Sequence, residues 1–275
     1  MIKTVIHCSD IHIRARMRFE EYAEQLNKFI ERCREIASSY EKDEVRIVIS
    51  GDLLHQKNML TPELIVFVSS FLRQLEQIAP VIIIAGNHDL IVENTDKKDA
   101  LTSLFETAQF RNTRFLDYDF NFQSGAAVDN NVTWVLYSIY QNYLAPDINK
   151  VLEEYPDNIC VGLFHGMITG AKLDNNTITD RGTSKEVFVD CDIVMAGDIH
   201  KRQEITNSMD TRIVYPGSLI QQDFGENIHE HGFAVWDLEN NTMKYENIPS
   251  DYQLVSIKIE HENDILENKE EIINN

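Results

Sequence analysis

Seven side chains able to hold a hard or borderline cation stand just past short apolar runs of this sequence. Asp10 and His12 follow TVIHCS, Asp52 follows VRIVISG, Asn87 follows VIIIAG, His165 follows CVGLF, and Asp198 and His200 follow DIVMAG. Each run is strand-sized, and open α/β sheets place their ligand crevice outside the carboxyl ends of their strands. In an extended segment residues i and i+2 point to one side, so Asp10 with His12, and Asp198 with His200, are each expected to aim two donors into one pocket. Gly51, Gly86 and Gly197 precede Asp52, Asn87 and Asp198, where a crowded centre needs sharp turns and close backbone approach. Three Asp, one Asn and three His with no cysteine suit a divalent ion such as Mn²⁺, with Mg²⁺, Fe²⁺ or Zn²⁺ as alternatives. The set exceeds what one ion takes. Two ions about 3.5–4 Å apart, sharing a carboxylate, would use it economically, readying water to attack a phosphate ester while clamping the phosphoryl oxygens. A non-ligand histidine could then protonate the leaving oxygen.

Other polar residues divide into helpers and background. Arg14 and Arg16 follow the first pair of donors, with Arg18 beyond them, and Lys201 and Arg202 follow the last pair, so these basic residues are candidates for a phosphate-binding rim. Asp89 reads as an orienting carboxylate. His7 reads as a packed core histidine, His229-Glu230-His231 as loop surface, and Lys97-Lys98 as an exposed turn. Tyr137, Tyr140 and Tyr143 suit stacking against bases or packing into the core.

The elements that must position these residues are legible in the periodicity. Thr4–Cys8, Val45–Ile49 and Val81–Ala85 read as strands, the last fully apolar as in a sheet covered on both faces. Phe19–Tyr40 carries Tyr22, Leu26, Phe29, Ile30, Cys33 and Ile36 at helical spacing, and Thr61-Pro62-Glu63 opens a second helix with an N-cap and a proline at its first position. Further strands are expected at Arg114–Phe120, Val132–Ile139, Ile159–Phe164, Ile193–Ala196, Arg212–Tyr215, Gly232–Leu238 and Met243–Ile248, a helix at Asp147–Tyr155, and a surface loop at Asp174–Lys185. The pattern predicts an α/β fold of two packed mixed β-sheets flanked by helices, the second half more antiparallel. Residues 1–250 form the predicted domain. Residues 251–275 begin with one more strand, QLVSIKIE, and lead into a charged stretch that reads as the start of a truncated capping domain or linker.

Composition sets outer limits. The 275 residues are 43% hydrophobic and 25% charged, ordinary globular values, and carry four cysteines with no CxxC pair, which predicts reduced core thiols. The longest wholly apolar run is far shorter than the roughly 20 residues of a membrane span. No membrane partner is expected, and the N-terminus reads as a strand, so the expected location is cytoplasmic. A net charge of -20 opposes charge-driven attachment to nucleic acid or anionic membrane, so any DNA role must be local or metal-assisted.

Taken in order, DIH, GDLLH, GNHD, FHG and GDIH resemble the motifs of the calcineurin-like metallophosphoesterases. GDLLH in place of a GDxVDRG form, GNHD in place of GNHE, and YPGSLIQQDFGE at 215–226 are similar to the SbcD nuclease branch. The resemblance implies a four-layer sandwich in which Asp10, His12, Asp52 and His200 hold one metal and Asn87, His165 and Asp198 complete the second site, with Asp52 bridging. It implies that His88 is the acid or phosphate-steadying group and His55 a helper on the substrate side. The cofactor would be two Mn²⁺ per chain, the activity exo- and endonucleolytic on DNA ends and hairpins, and the partners DNA, an SbcC-type coiled-coil ATPase and a second copy in a homodimer. The sequence departs from the family pattern at Asp198, where most relatives carry histidine. The alternatives are a small-molecule phosphodiesterase or phosphoprotein phosphatase and, from another class, a non-catalytic scaffold.

Overall fold

Each central strand alternates between two buried faces. In the computed structural model, which describes residues 1–14, 18–91 and 97–255, the chain runs through β1 (Thr4–Cys8), α1 (Phe19–Ala37), β2 (Val45–Ser50), α2 (Pro62–Ile78), β3 (Val81–Ile84), α3 (Ala100–Thr107), β4 (Thr113–Phe115) and α4 (Leu116–Asp119). It continues through β5 (Gly125–Asp129), β6 (Val132–Tyr137), α5 (Asn149–Glu154), β7 (Ile159–His165), β8 (Ile193–Gly197), β9 (Gln203–Thr206), β10 (Arg212–Tyr215), β11 (Gly232–Asp237) and β12 (Thr242–Asn247). These strands form two six-stranded sheets, ordered β12-β11-β1-β2-β3-β4 and β5-β6-β7-β8-β10-β9.

Val48, Ile82 and Ile84 from the first sheet meet Trp134, Leu136, Val161, Leu163 and Met195 from the second in the layer between them. The alternate residues Ile47, Ile49 and Ile83 face Leu26 and Phe29 of α1 and Val68 and Leu72 of α2. Cys160, Phe164, Val194 and Ile213 point the other way, under Phe188 and Ile168. Burying each such side chain is worth about 1.5–3 kcal/mol, so the period-two pattern fixes which face of each strand points where. Arg46 of β2 reaches across to Asp129 of β5 through Nε–Oδ2 at 2.6 Å and Nη2–Oδ1 at 2.8 Å, a two-pronged clamp between the sheets. Thr61 caps α2 by accepting from the Leu64 amide.

The predicted two-sheet α/β class stands, with corrections inside it. The second half of the chain is the more antiparallel, as predicted: β1–β2, β2–β3 and β3–β4 all pair parallel, whereas β9–β10, β1–β11 and β11–β12 pair antiparallel. Arg114–Phe120 is not one strand. It is β4 followed at once by α4, because the buried Asp117 turns inward to accept from the Ala85 amide at 2.8 Å and from Ser138 Oγ at 3.1 Å. Strands β5 and β9 and helix α3 had no strong sequence signal. The two strands lie at sheet edges, where GAAVD and QEIT are half exposed. All four cysteines are free and buried, as predicted. Residues 253–255 carry no strand, and the rest of QLVSIKIE lies outside the described residues, as does Arg16. Among the described residues no helix is long and apolar enough to cross a membrane.

Candidate metal centre

Strands β1, β2 and β3 run parallel, as do β6, β7 and β8, and the carboxyl ends of the central strands of both sheets open onto one edge of the sandwich. Asp10 and His12, Asp52, Asn87 and His88, His165, and Asp198 and His200 all meet there. Asp52 is central: its Oδ2 lies 3.5 Å from His12 Nε2 and 3.4 Å from His165 Nε2. On one side, Asp10 Oδ1 is 3.9 Å from His12 Nε2 and 3.7 Å from His200 Nε2, and the two imidazole nitrogens are 3.3 Å apart. On the other, His165 Nε2 is 3.3 Å from Asn87 Oδ1 and 3.9 Å from Asp198 Oδ1.

The local backbone is not the extended claw that the i, i+2 spacing suggested. Asp10, His12 and Asp52 all sit at φ 52° and Asp198 at φ 92°, in the left-handed region that non-glycine residues seldom occupy. The donors converge because the chain twists at each one, while Ile11, Leu53 and Leu54 anchor the turns in the core. Such strain persists only where surrounding structure over-determines it, and it clusters at functional sites. Gly51, at φ 95°, lies against the His165 ring, and Gly86 against the Asp52 carboxylate; a Cβ at either position would collide with those groups. Asp89, fully buried, ties the turns together by accepting from the amides of Leu53, Leu54 and Gly86.

Hydrogen bonds aim the imidazoles inward. His165 Nδ1 donates to the Ser50 carbonyl at 2.8 Å and His200 Nδ1 donates to Glu226 Oε1 at 2.5 Å, leaving both Nε2 atoms facing the carboxylates. An outer partner of this kind fixes the tautomer of a metal-binding histidine. Burial pushes Asp10 up to about 6 against the pull of His200 and His165. Burial opposes ionisation of Asp52 too, but His165 and His12 hold it below the usual carboxylate range. Burial also opposes charging His165 and His200; neighbouring carboxylates nonetheless hold His165 well above its ordinary value, and Glu226 and Asp10 bring His200 to about 9. The cluster is therefore a set of acceptor atoms pointing at one another around two small volumes, which only bound protons or cations can reconcile. Carboxylate oxygens, an amide oxygen and imidazole nitrogens are the donor chemistry that divalent cations take, so the residues fit a metal centre.

Around it lies an open cleft of about 270 Å³ lined by Arg14, His55, His88 and Gln222 among others. His88 gives its amide to Asp52 Oδ1 at 2.9 Å and its Nδ1 proton to the His55 carbonyl at 2.9 Å, so Nε2 remains for a ligand in the cleft. His55 Nε2 accepts from Arg14 at 3.0 Å, and burial together with Arg14 pushes its imidazole down to about 4. Lys201 donates to Asn176. The Arg202 guanidinium is occupied elsewhere, donating to the Pro216 and Glu246 carbonyls and to Asn247 and lying over the Tyr245 ring. His7 is a core histidine, bonded to Ser50 Oγ at 2.8 Å. His231, read as loop surface, is instead buried beside Ser218 and Glu226. Spacing gave no sign that Glu226 would meet His200, because 26 residues and two strands separate them.

The chain is 32% identical over 265 residues to the uncharacterized protein R555 of Acanthamoeba polyphaga mimivirus, covering 94% of this chain but only 19% of that protein. It is 25% identical over 260 residues to the SbcD component of the nuclease SbcCD from Staphylococcus epidermidis, covering 87% of this chain and 67% of the relative. A dimetal phosphatase from Danio rerio superposes with a TM-score of 0.53 over 86% of this chain and 93% of the other at 10% identity, a likeness of fold. Residues 3–202 match the family described as calcineurin-like phosphoesterase, and the chain belongs to that family.

Proposed function

We propose that this chain hydrolyses phosphodiester bonds of DNA with two divalent cations, Mn²⁺ first among them, as the nuclease component beside an SbcC-type coiled-coil ATPase in the cytoplasm. The observation that carries the two-cation reading is the place of Asp52 Oδ2 between His12 and His165, where one carboxylate can serve both sites. Asp10, His12 and His200 would complete the first site, and Asn87, His165 and Asp198 the second. When bound, the cations would supply charge neutralisation at the phosphoryl group and a readied water.

The remaining steps belong to side chains. His88 Nε2, fixed by the Nδ1 bond to His55, would hold or pass a proton at the leaving oxygen. His55 positions His88 and Arg14 and is itself a neutral acceptor. Arg14, held by His55 and Gln222, would meet a phosphate oxygen from the cleft wall, with Lys201 farther out. Support for DNA over other esters comes from similarity to the staphylococcal SbcD nuclease component across most of the chain and from the GDLLH and YPGS segments. Residues 1–250 would be the nuclease unit.

Linear duplex and hairpin DNA should be cut by the purified chain in Mn²⁺. Intact DNA alongside rapid turnover of bis-p-nitrophenyl phosphate would instead select the small-molecule phosphodiesterase, the reading that the net charge of -20 favours.

A further inference from the structure

A second cavity opens outside the metal centre, and none of the metal-centre residues lines it. It has a volume of about 610 Å³, and its walls include Lys97, Tyr118, Phe122, Gln123, Tyr140 and Gln141. Tyr118 and Phe122 have ring centroids 6.3 Å apart, and Phe122 and Tyr140 are 5.1 Å apart, both edge-on. Tyr118 is 43% exposed, so much of its ring is open to a ligand. Phe122 and its neighbour Asn121 both adopt left-handed backbone, at φ 60° and 54°. That conformation is costly for a bulky residue and marks a place where structure holds a side chain against local preference.

Topology places this cavity relative to the chemistry. One wall comes from residues 97–106 around α3, where Glu106 is paired with Lys98 and Asp99 caps the helix, and the others from the carboxyl ends of β4 and β6, the strands parallel to and immediately outside β3 and β7, whose own ends carry Asn87 and His165. Cavity and metal cluster thus share one edge of the sandwich, the cavity beyond β3 and β7 and the Asp52 turn two strands away after β2. The two are bonded together. Asp117 accepts from the Ala85 amide, two residues before Asn87, and Ser138 Oγ lies 3.1 Å from Asp117 Oδ1 and 3.2 Å from the Phe122 carbonyl. The turn after Ser138 puts Tyr140 and Gln141 on the cavity and packs Tyr143 against Phe164, next to His165.

We infer that this cavity is a nucleotide subsite, in which a base lies against the Tyr118–Phe122–Tyr140 aromatic wall and Lys97 meets its phosphate. Aromatic faces accept any base, amide side chains suit base edges, and a lysine suits a phosphate, a combination that ordinary apolar ligands do not need. The inference rests on the proposed phosphodiesterase reading only for its biological use, since binding of a nucleotide here requires no metal.

The test is binding in EDTA. A dye-labelled hexathymidylate and, separately, thymidine monophosphate are titrated into the full chain and into Tyr118→Ala and Lys97→Ala, both at exposed positions. Binding of the oligonucleotide, weakened about 10-fold in each variant while Mn²⁺-dependent hydrolysis of bis-p-nitrophenyl phosphate is unchanged, is the expected result. Equal affinity of the monophosphate would identify the ligand as a free nucleotide, and binding of the oligonucleotide alone would identify a strand of substrate. Failure of both to bind, or equal binding by wild type and Tyr118→Ala, would overturn the subsite. Nucleotide binding without any DNA cleavage would leave the subsite standing and remove the nuclease reading.

Discussion

Glu226 Oε1 lies 2.5 Å from His200 Nδ1, and the other oxygen of the same carboxylate accepts from Ser218 Oγ at 2.8 Å and from the Gln222 amide at 3.0 Å. A residue from the loop after β10 thereby sets the direction in which His200 faces Asp10 and His12. Glu226→Gln keeps the volume but cannot accept at every one of these contacts. Mn²⁺ affinity measured by calorimetry should fall about 10-fold or more. An unchanged affinity would show that His200 is oriented without Glu226.

The two cleft residues His88 and Arg14 should separate kinetically. His88→Ala is expected to leave metal content intact and lower kcat by about 10² or more, because the group proposed to face the leaving oxygen is lost. Arg14→Ala should act mainly on KM, since it removes the proposed phosphate contact while His88 stays bonded to the His55 backbone. Steady-state kinetics on one phosphodiester, with metal content measured in parallel, would distinguish them; an unaltered kcat in His88→Ala would place the acid elsewhere.

Gly86 tests the packing of the centre. A methyl group there would meet Asp52 Oδ1 and the Asp52 backbone nitrogen, neither of which is a flexible chain end. Gly86→Ala should therefore lose metal affinity together with thermal stability. A variant that binds Mn²⁺ as wild type would mean that the Asp52 turn can move.

Asp117 gives a stability signature in pH. Burial raises its carboxyl to about 6, above the ordinary value of 3.8 that it regains on unfolding. Between those values the folded chain holds a proton that the unfolded chain releases, so stability falls as pH rises through this window and the penalty is complete above about 6. Two units correspond to about 3 kcal/mol. Asp117→Asn cannot ionise, so relative to wild type it should gain stability by up to that amount between pH 4 and pH 7, as read by denaturant unfolding. A difference that stays constant with pH would contradict a protonated Asp117.

Much of this architecture is legible in the sequence where one residue type leaves the chain few choices. The runs around Val48, Ile83, Val161 and Val194 are apolar on both faces and can only be central strands, so the polar residues directly after them had to gather at one edge. Asp10 and His12 meet as their i, i+2 spacing suggests, but left-handed turns, rather than an extended chain, aim them. What escaped was non-local or weakly patterned. Glu226 and His231 are brought under His200 by the loop joining β10 to β11, and Asp117 breaks a strand pattern because its carboxylate is needed by Ala85 and Ser138. No spacing rule encodes these contacts.

In the proposed centre Asp52 joins two cation sites. Anomalous scattering from crystals soaked in Mn²⁺ measures this directly. Two peaks should appear, one among Asp10, His12 and His200 and one among Asn87, His165 and Asp198, with an Asp52 oxygen coordinating both. A single peak, or two peaks of which Asp52 touches only one, would contradict the account.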